Sequence, residues 1–294
     1  MKHVKFLNRY AFLAPAMIFM SFFYVVPIFK SIQLGFQNYS ISSFYTGKAP
    51  YVGFQNYRDV IHNGNFGKAL ENTILFTAAS ILFQFTIGLG LAILFRREFP
   101  MSKILQGLLL APWLISLIAA SAVWKWILDQ DSGILNEFLN FTHLDRNFPG
   151  WLVDPKFALI SIIMINIWIG IPFNAVILLS GIREIPEDIF EAAEIDGASG
   201  FRSFRYIIWP LLRPVTAIVL LLGVIYTLKV LDIILATTNG GPADATQTIA
   251  TKAYFYSFVD YAFGRGAAMN NILIIISLLF AFVYWRLSRK HASE

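Results

Sequence analysis

The residues that could do chemistry in this chain are few and unevenly placed. Between positions 184 and 196 lie Glu184, Glu187, Asp188, Glu191, Glu194 and Asp196, six of the chain's 18 acids within 13 residues. Acids at that density can hold a basic partner surface through charge-assisted hydrogen bonds. They have no histidine or cysteine to work with: His3, His62, His143 and His291 are scattered, and Cys is absent. That excludes a thiolate nucleophile and a disulfide, and it leaves no cluster for a zinc ion. No Gly-x-x-x-x-Gly-Lys-Ser/Thr run occurs, so the chain carries no phosphate loop for a nucleotide.

Three more ionisable residues, Lys125, Lys229 and Asp232, fall inside apolar stretches, where a charge is costly and often functional. Lys125 stands between Trp124 and Trp126 and reads as a side chain that snorkels to a membrane surface. Lys229 and Asp232 are i and i+3, so on one helix they can pair; the alternative is contact with a substrate. Binding a polar small molecule would want hydrogen-bonding groups beside aromatic faces. Asn166, Trp168 and Asn174, then Tyr226, then Asn270 and Asn271 could supply them. Each is equally readable as packing glue between helices.

The elements that must position these groups are membrane spans. Only 14% of residues are charged, against about a quarter in soluble domains, while 57% are hydrophobic and mean hydropathy is +0.61. That excludes a disordered chain, a nucleic-acid-binding domain and an ordinary cytosolic enzyme. Crossing a bilayer takes about 20 apolar residues. Six stretches qualify, at about 10–29, 74–95, 104–127, 157–181, 215–235 and 267–285. The chain thus reads as one all-α transmembrane domain over 1–294. The first stretch has a basic start (Lys2, Lys5, Arg9) but is too long for a signal peptide and lacks a small-residue cleavage site, so it reads as a retained helix. Pro15 and Pro27 predict a kink in it.

Lys and Arg set the orientation. With the N-terminus inside, the inner segments 1–9, 96–103, 182–213 and 286–294 hold 13 basic residues in 58, whereas the outer segments 30–69, 129–156 and 236–265 hold 8 in 98. Both termini are expected in the cytoplasm. Segment 37–69, rich in Asn, Tyr and Gly, reads as an ordered outer loop. Trp124, Trp126 and Trp151 read as interfacial anchors, and Asn239-Gly240-Gly241-Pro242 as the turn that ends span five.

Segment 182–213 is far longer than a link between two helices requires. A helix is expected from Pro186 to Asp196, with proline in the first turn, Glu187 and Asp188 at the positive end of the dipole and Gly197 at its end. Pro186, Ile189, Phe190, Ala193 and Gly197 share one face, and Glu187, Glu191 and Glu194 another. A second short helix follows, with Ser199 as N-cap and Phe201, Phe204, Ile207 and Ile208 among Arg202 and Arg205. Pro210 and Pro214 are expected to break the chain before span five. A solvated amphipathic linker is the plain alternative. An acidic face suits the anionic inner leaflet poorly, which favours docking to a protein.

The run EAAEIDGASGFRSFRYIIWP resembles the signature loop of ABC importer permeases: Glu-Ala-Ala, three residues, Gly, nine residues, Ile, one residue, Leu, Pro. Glu191, Ala192, Ala193, Gly197, Ile207 and Pro210 match at the right spacing, and Trp209 stands at the leucine position. GFQNY (53–57), ENTILFT (71–77), IWIGIPF (167–173), GIREIPEDIFEAAEIDGAS (181–199) and TNGGPADATQT (238–248) resemble the sugar-importer branch, of the maltose and glycerol-3-phosphate type. The likeness covers about 10–290. It implies a type I ABC importer permease fold in a bacterial inner membrane, with no cofactor or metal. It also implies a second homologous permease, two copies of an ABC ATPase, an extracytoplasmic solute-binding protein and a carbohydrate-like substrate. The loop around Glu191, with Ala192, Ala193, Asp196, Gly197, Ile207 and Pro210, would couple to the ATPase. The rival reading is an ion-coupled carrier, which would want buried acids in its spans and internal repeats; spans one to four contain no central acid.

Overall fold

The computed structural model describes residues 12–63, 65–97, 99–142, 150–198 and 200–292, with side chains up to Arg286. Lys2, Lys5, Arg9, Tyr10, His3, His143, Arg146 and Ser199 lie outside the described residues, as do the side chains of Arg289, Lys290 and His291. Among the described residues there is no strand, only one isolated antiparallel bridge between Gln37 and Tyr51. In chain order the helices are α1 Ala14–Gly35, α2 Ile41–Thr46, α3 Gln55–Asn63, α4 Phe66–Arg96, α5 Ser102–Leu114, α6 Leu117–Ile127 and α7 Ile134–Phe141. These are followed by α8 Pro155–Arg183, α9 Glu187–Ile195, α10 Phe201–Leu228, α11 Asp232–Thr237, α12 Ile249–Tyr254 and α13 Phe263–Ala292. Five of these are long and apolar enough to cross a membrane, and α5 with α6 makes a sixth if the bent pair counts as one span.

Proline decides where the helices differ from expectation. The first span is not broken at Pro27: residues 21–25 form a π-helical turn in which Val26 N–H bonds back to Ser21, and the helix runs on. A wide turn of this kind re-routes the hydrogen bonds around a residue that has no N–H to give. The same device removes the break expected at Pro210 and Pro214. Residues 204–208 form a π-helical turn, Trp209 N–H bonds to Phe204 O, and α10 continues from Phe201 through both prolines to Leu228. Conversely, the expected straight span 104–127 is bent by 98°. Pro112 sits in the first turn of the last stretch of α5, Ala111–Leu114, and the bend comes just after it, where Ile115 and Ser116 turn extended before α6 starts.

The chain divides into two compact units, 1–67 with 252–276 and 68–251 with 277–294. In the first, α3 and the start of α13 are pinned to the end of α1 by polar side chains. Asn56 Nδ2 donates to the carbonyls of Gly35 and Gln37, at 3.0 and 2.9 Å. Asn271 Nδ2 donates to Ser31 O and Tyr57 Oη, while Ser31 Oγ donates to Asn271 Oδ1. Gly35 must be glycine because an added Cβ would lie 2.5 Å from Tyr57 Oη and 2.8 Å from Asn271 Nδ2. The expected outer loop 37–69 is ordered by α2, α3 and the bridge.

The second unit has two apolar centres. Ala92 and Phe95 of α4, Leu178 and Ile182 of α8, Phe190 of α9 and Ile208 and Leu212 of α10 form one. Phe76, Ala120, Leu128, Ile162, Ile165 and Ile233 form the other. A polar seam runs where α4 meets α8: Gln84 Nε2 donates across it to Asn166 O at 2.8 Å, and within α8 Asn174 Nδ2 donates to Gly170 O at 2.9 Å. The head of α4 fixes the segment before α12, with Asn72 donating to the carbonyls of Asp244 and Gln247, and Ile249 N–H to Thr73 Oγ1. Trp151 is partly buried against the second apolar centre, its indole N–H donating to Asn136 Oδ1 at 2.7 Å. After α6, Asp129 accepts from the Ser132 N–H and hydroxyl and the Asp131 N–H, which holds its carboxyl below the usual carboxylate range.

Candidate functional site

The acid-rich segment folds as α9, one residue shorter at each end than expected. Pro186 and Asp196 are its caps. Glu187 and Asp188 fill its first turn, where the helix dipole favours them. Its end is a Schellman motif: Ala198 N–H bonds to Ala193 O, Gly197 N–H to Glu194 O, and Gly197 adopts φ +74°. That left-handed conformation is why glycine stands there. No atom lies within 4 Å of a Cβ built on it, so the constraint is backbone strain and not space.

α9 is rooted by one residue. Phe190 is 7% exposed in the cluster of α4, α8 and α10, and Arg96 at the end of α4 lies over its ring, Cζ 3.3 Å from the centroid. Ala193 is half-buried, whereas Pro186, Ile189 and Gly197, expected on the same covered face, are exposed. Glu187, Glu191, Ala192, Glu194 and Asp196 are exposed, and so is Ile195 at 87%. Beyond Gly197, Ile207 is half-buried against the same cluster, and Pro210, in the first turn after the π-helical turn of α10, is half-buried as well. Trp209, at the leucine position of the signature, is held between the rings of Phe85 and Phe204. The result is a short helix bound on one side and presenting acids and an isoleucine on the other.

The residues named for a solute pathway separate into groups. Asn166 and Asn174 are buried in the α4–α8 seam, and the Asn166 Nδ2 has no hydrogen-bond partner among the described residues. Trp168 packs edge-on to Trp124 in the second apolar centre. Tyr226 and Lys229 do come together, the amine 5.0 Å from the ring centroid. Asn271 is buried in the first unit's network, and its neighbour Asn270 is exposed.

The expected i, i+3 pairing of Lys229 with Asp232 is overturned. The predicted span 215–235 is not one helix: α10 ends at Leu228 with Lys229 as C-cap, Asp232 opens the separate helix α11, and the ion pairs among the described residues do not include them. The turn at 239–242 therefore ends α11, not the span. Sequence reasoning missed an aromatic line beside Tyr226: Phe173 meets it edge-on at 6.2 Å, and Trp113 lies 6.1 Å from Phe173. Nothing in the spacing of positions 113, 173 and 226 announces it.

Several apolar spans, a short acidic helix anchored beneath three of them and polar groups at helix breaks define a class. This is a multi-span membrane protein that holds one short acidic helix out from its spans. The chain belongs to the family of binding-protein-dependent transport system inner membrane components, whose model matches residues 84–292. Members are permease subunits of ABC transporters and not enzymes, the ATPase being a separate subunit. The protein is thus a multi-span inner-membrane protein, and the ion-coupled carrier reading falls away.

It is 33% identical over 241 residues to the trehalose/maltose transport system permease protein MalF of Thermococcus litoralis, covering 82% of this chain and 80% of that one. It is 32% identical over 281 residues to the sulfoquinovosyl glycerol transport system permease protein SmoG of Agrobacterium fabrum, covering 94% and 89%. In fold it is similar to a chain of a bacterial ABC transporter involved in the import of the acidic polysaccharide alginate, with a TM-score of 0.84, 23% identity and 99% of each chain covered.

Proposed function

We propose that the protein forms half of the pathway of an importer for a carbohydrate-like solute. In this reading it pairs with a second, homologous permease, binds two copies of an ABC ATPase on the cytoplasmic side and receives solute from an extracytoplasmic binding protein. Both termini are cytoplasmic, in keeping with the basic residues concentrated in 1–9, 96–103, 182–213 and 286–294. The observation that carries the reading is α9. It is rooted by buried Phe190 and exposes Glu187, Glu191 and Glu194 on a helix that its own chain leaves open. The relatives named for trehalose, maltose and sulfoquinovosyl glycerol support a sugar or glycoside as cargo.

The coupling residues in this reading are Glu191, Ala192, Ala193, Asp196, Gly197, Ile207 and Pro210. Ala192 keeps the outward face low enough for close approach, and Glu191 reaches a basic or backbone donor of the ATPase. Lys229 and Tyr226 at the end of α10, with Asp232 beyond the break, offer charge, hydroxyl and ring to a solute. In proteoliposomes the purified chain alone is expected to take up nothing, and the assembled system to import a labelled sugar only with ATP and the binding protein. ATP-independent uptake by the single chain would overturn the proposal.

A further inference from the structure

α9 is joined covalently to only two helices. Residues 184–186 tie it to α8, and residues 196–200 tie it to α10. The third helix of its apolar centre, α4, reaches it only through side chains, so any push on α9 arrives at α4 through whatever grips across that gap. From α4 come Ala92, Phe95 and Arg96; from α9 comes Phe190. Ala92 and Phe95 share the apolar cluster of Phe190, and apolar packing of that kind can slide. A guanidinium lying 3.3 Å over the ring face resists sliding, because the attraction to the ring quadrupole falls as the cation leaves the face. Arg96 is also within electrostatic reach of Glu187 and Glu194, which lie one turn to either side of Phe190 on α9.

We infer that Arg96 is a positioning residue: stacked on Phe190, it clasps the coupling helix to α4, so that α4 moves with α9 when the partner ATPase does. The inference rests on α9 being the ATPase contact. It places a third helix in the mechanical path, beside the two to which the backbone already commits it. Arg97, the next residue, is exposed and makes no ring contact with Phe190 among the described residues.

The test uses the full assembled transporter in proteoliposomes and reads sugar imported per ATP hydrolysed. Arg96→Gln removes the cation and keeps a planar stem; Arg96→Lys keeps the charge without the flat fork; Arg97→Gln is the control. Arg96→Gln is expected to retain the ATPase on co-purification and to hydrolyse ATP, yet to import about three- to ten-fold less sugar per ATP, as loss of a partly desolvated cation–π contact implies. Arg96→Lys should fall between it and the wild type, and it decides the matter if Arg96→Gln fails to reach the membrane. Phe190→Leu should remove any further effect of Arg96→Gln in the double variant. Wild-type import per ATP for Arg96→Gln, or an equal loss in Arg97→Gln, overturns the clasp. Failure of the wild-type assembly to bind the ATPase at α9 would instead overturn the proposed function.

Discussion

Gln84 donates its side-chain amide to the main-chain carbonyl of Asn166, 2.8 Å away, across the line where α4 meets α8. A helix carbonyl that already serves its own helix accepts a second bond here because Gly170, one turn on, leaves room for the glutamine. A Cβ on Gly170 would run into the Gln84 amide, and one on Gly88 would lie 2.7 Å from Asn174 Cβ and 3.1 Å from the Ala175 nitrogen. Gly88→Ala and Gly170→Ala should each lower stability by about 1–3 kcal/mol through overpacking. Thermal unfolding of the purified chain in detergent measures this. Gly90→Ala, with nothing within 4 Å, is the matched control and should be neutral or slightly stabilising.

Lys229 and Asp232 stand on either side of a helix break and act as separate charges. A double-mutant cycle of Lys229→Ala and Asp232→Ala, read by transport, should give a coupling within about 0.5 kcal/mol, as for sites without shared partners. Coupling well above that would restore the pair. Cysteines at 226, 229 and 232, in a chain with no native Cys, should react with small hydrophilic thiol reagents in at least one transport state.

Gly197 separates strain from bulk. Asparagine tolerates the left-handed conformation that valine does not, and the space around the site is open. Gly197→Asn should therefore keep most ATPase binding, while Gly197→Val should lose it. Glu191→Ala should weaken the same complex by about 2–5 kcal/mol, the penalty for an unpaired group at a buried interface. Co-purification of the ATPase with each variant checks both, and a wild-type yield for Glu191→Ala would return α9 to the role of a solvated linker.

Asn271 holds Ser31 and Tyr57 at once, so Asn271→Leu should cost about 1–3 kcal/mol by leaving buried polar groups unmet. Asn270→Leu, on an exposed position one residue away, should change stability by less than about 0.5 kcal/mol. Thermal unfolding of the two variants side by side distinguishes them.

The spans were legible in the sequence because apolar length is a local property, and so was α9, whose acids, proline and glycine sit at helical spacing. Breaks inside apolar runs were not. Ile115-Ser116 and Lys229–Leu231 are flanked by residues as hydrophobic as any helix interior, and Pro112 is no stronger a signal than Pro27 or Pro214, which the helices absorb. A π-helical turn costs one extra residue and leaves no compositional mark. The Arg96–Phe190 stack joins positions 94 residues apart, and no spacing rule reaches that far. The charge pair at 229 and 232 failed for the same cause as the span: an i, i+3 argument holds only while the helix does.

Residues 15–30 of α1 are exposed along their whole length in this chain. A helix interior packed at native density remembers the shape of each side chain; a surface wetted by lipid does not, since one aliphatic chain solvates leucine, phenylalanine and isoleucine alike. The information that the chain itself needs from these residues is therefore only compositional. Scrambling their order while keeping Pro15, Pro27 and Lys30 fixed should leave insertion untouched, so any order-dependence seen in such a library reports something that touches the helix from outside.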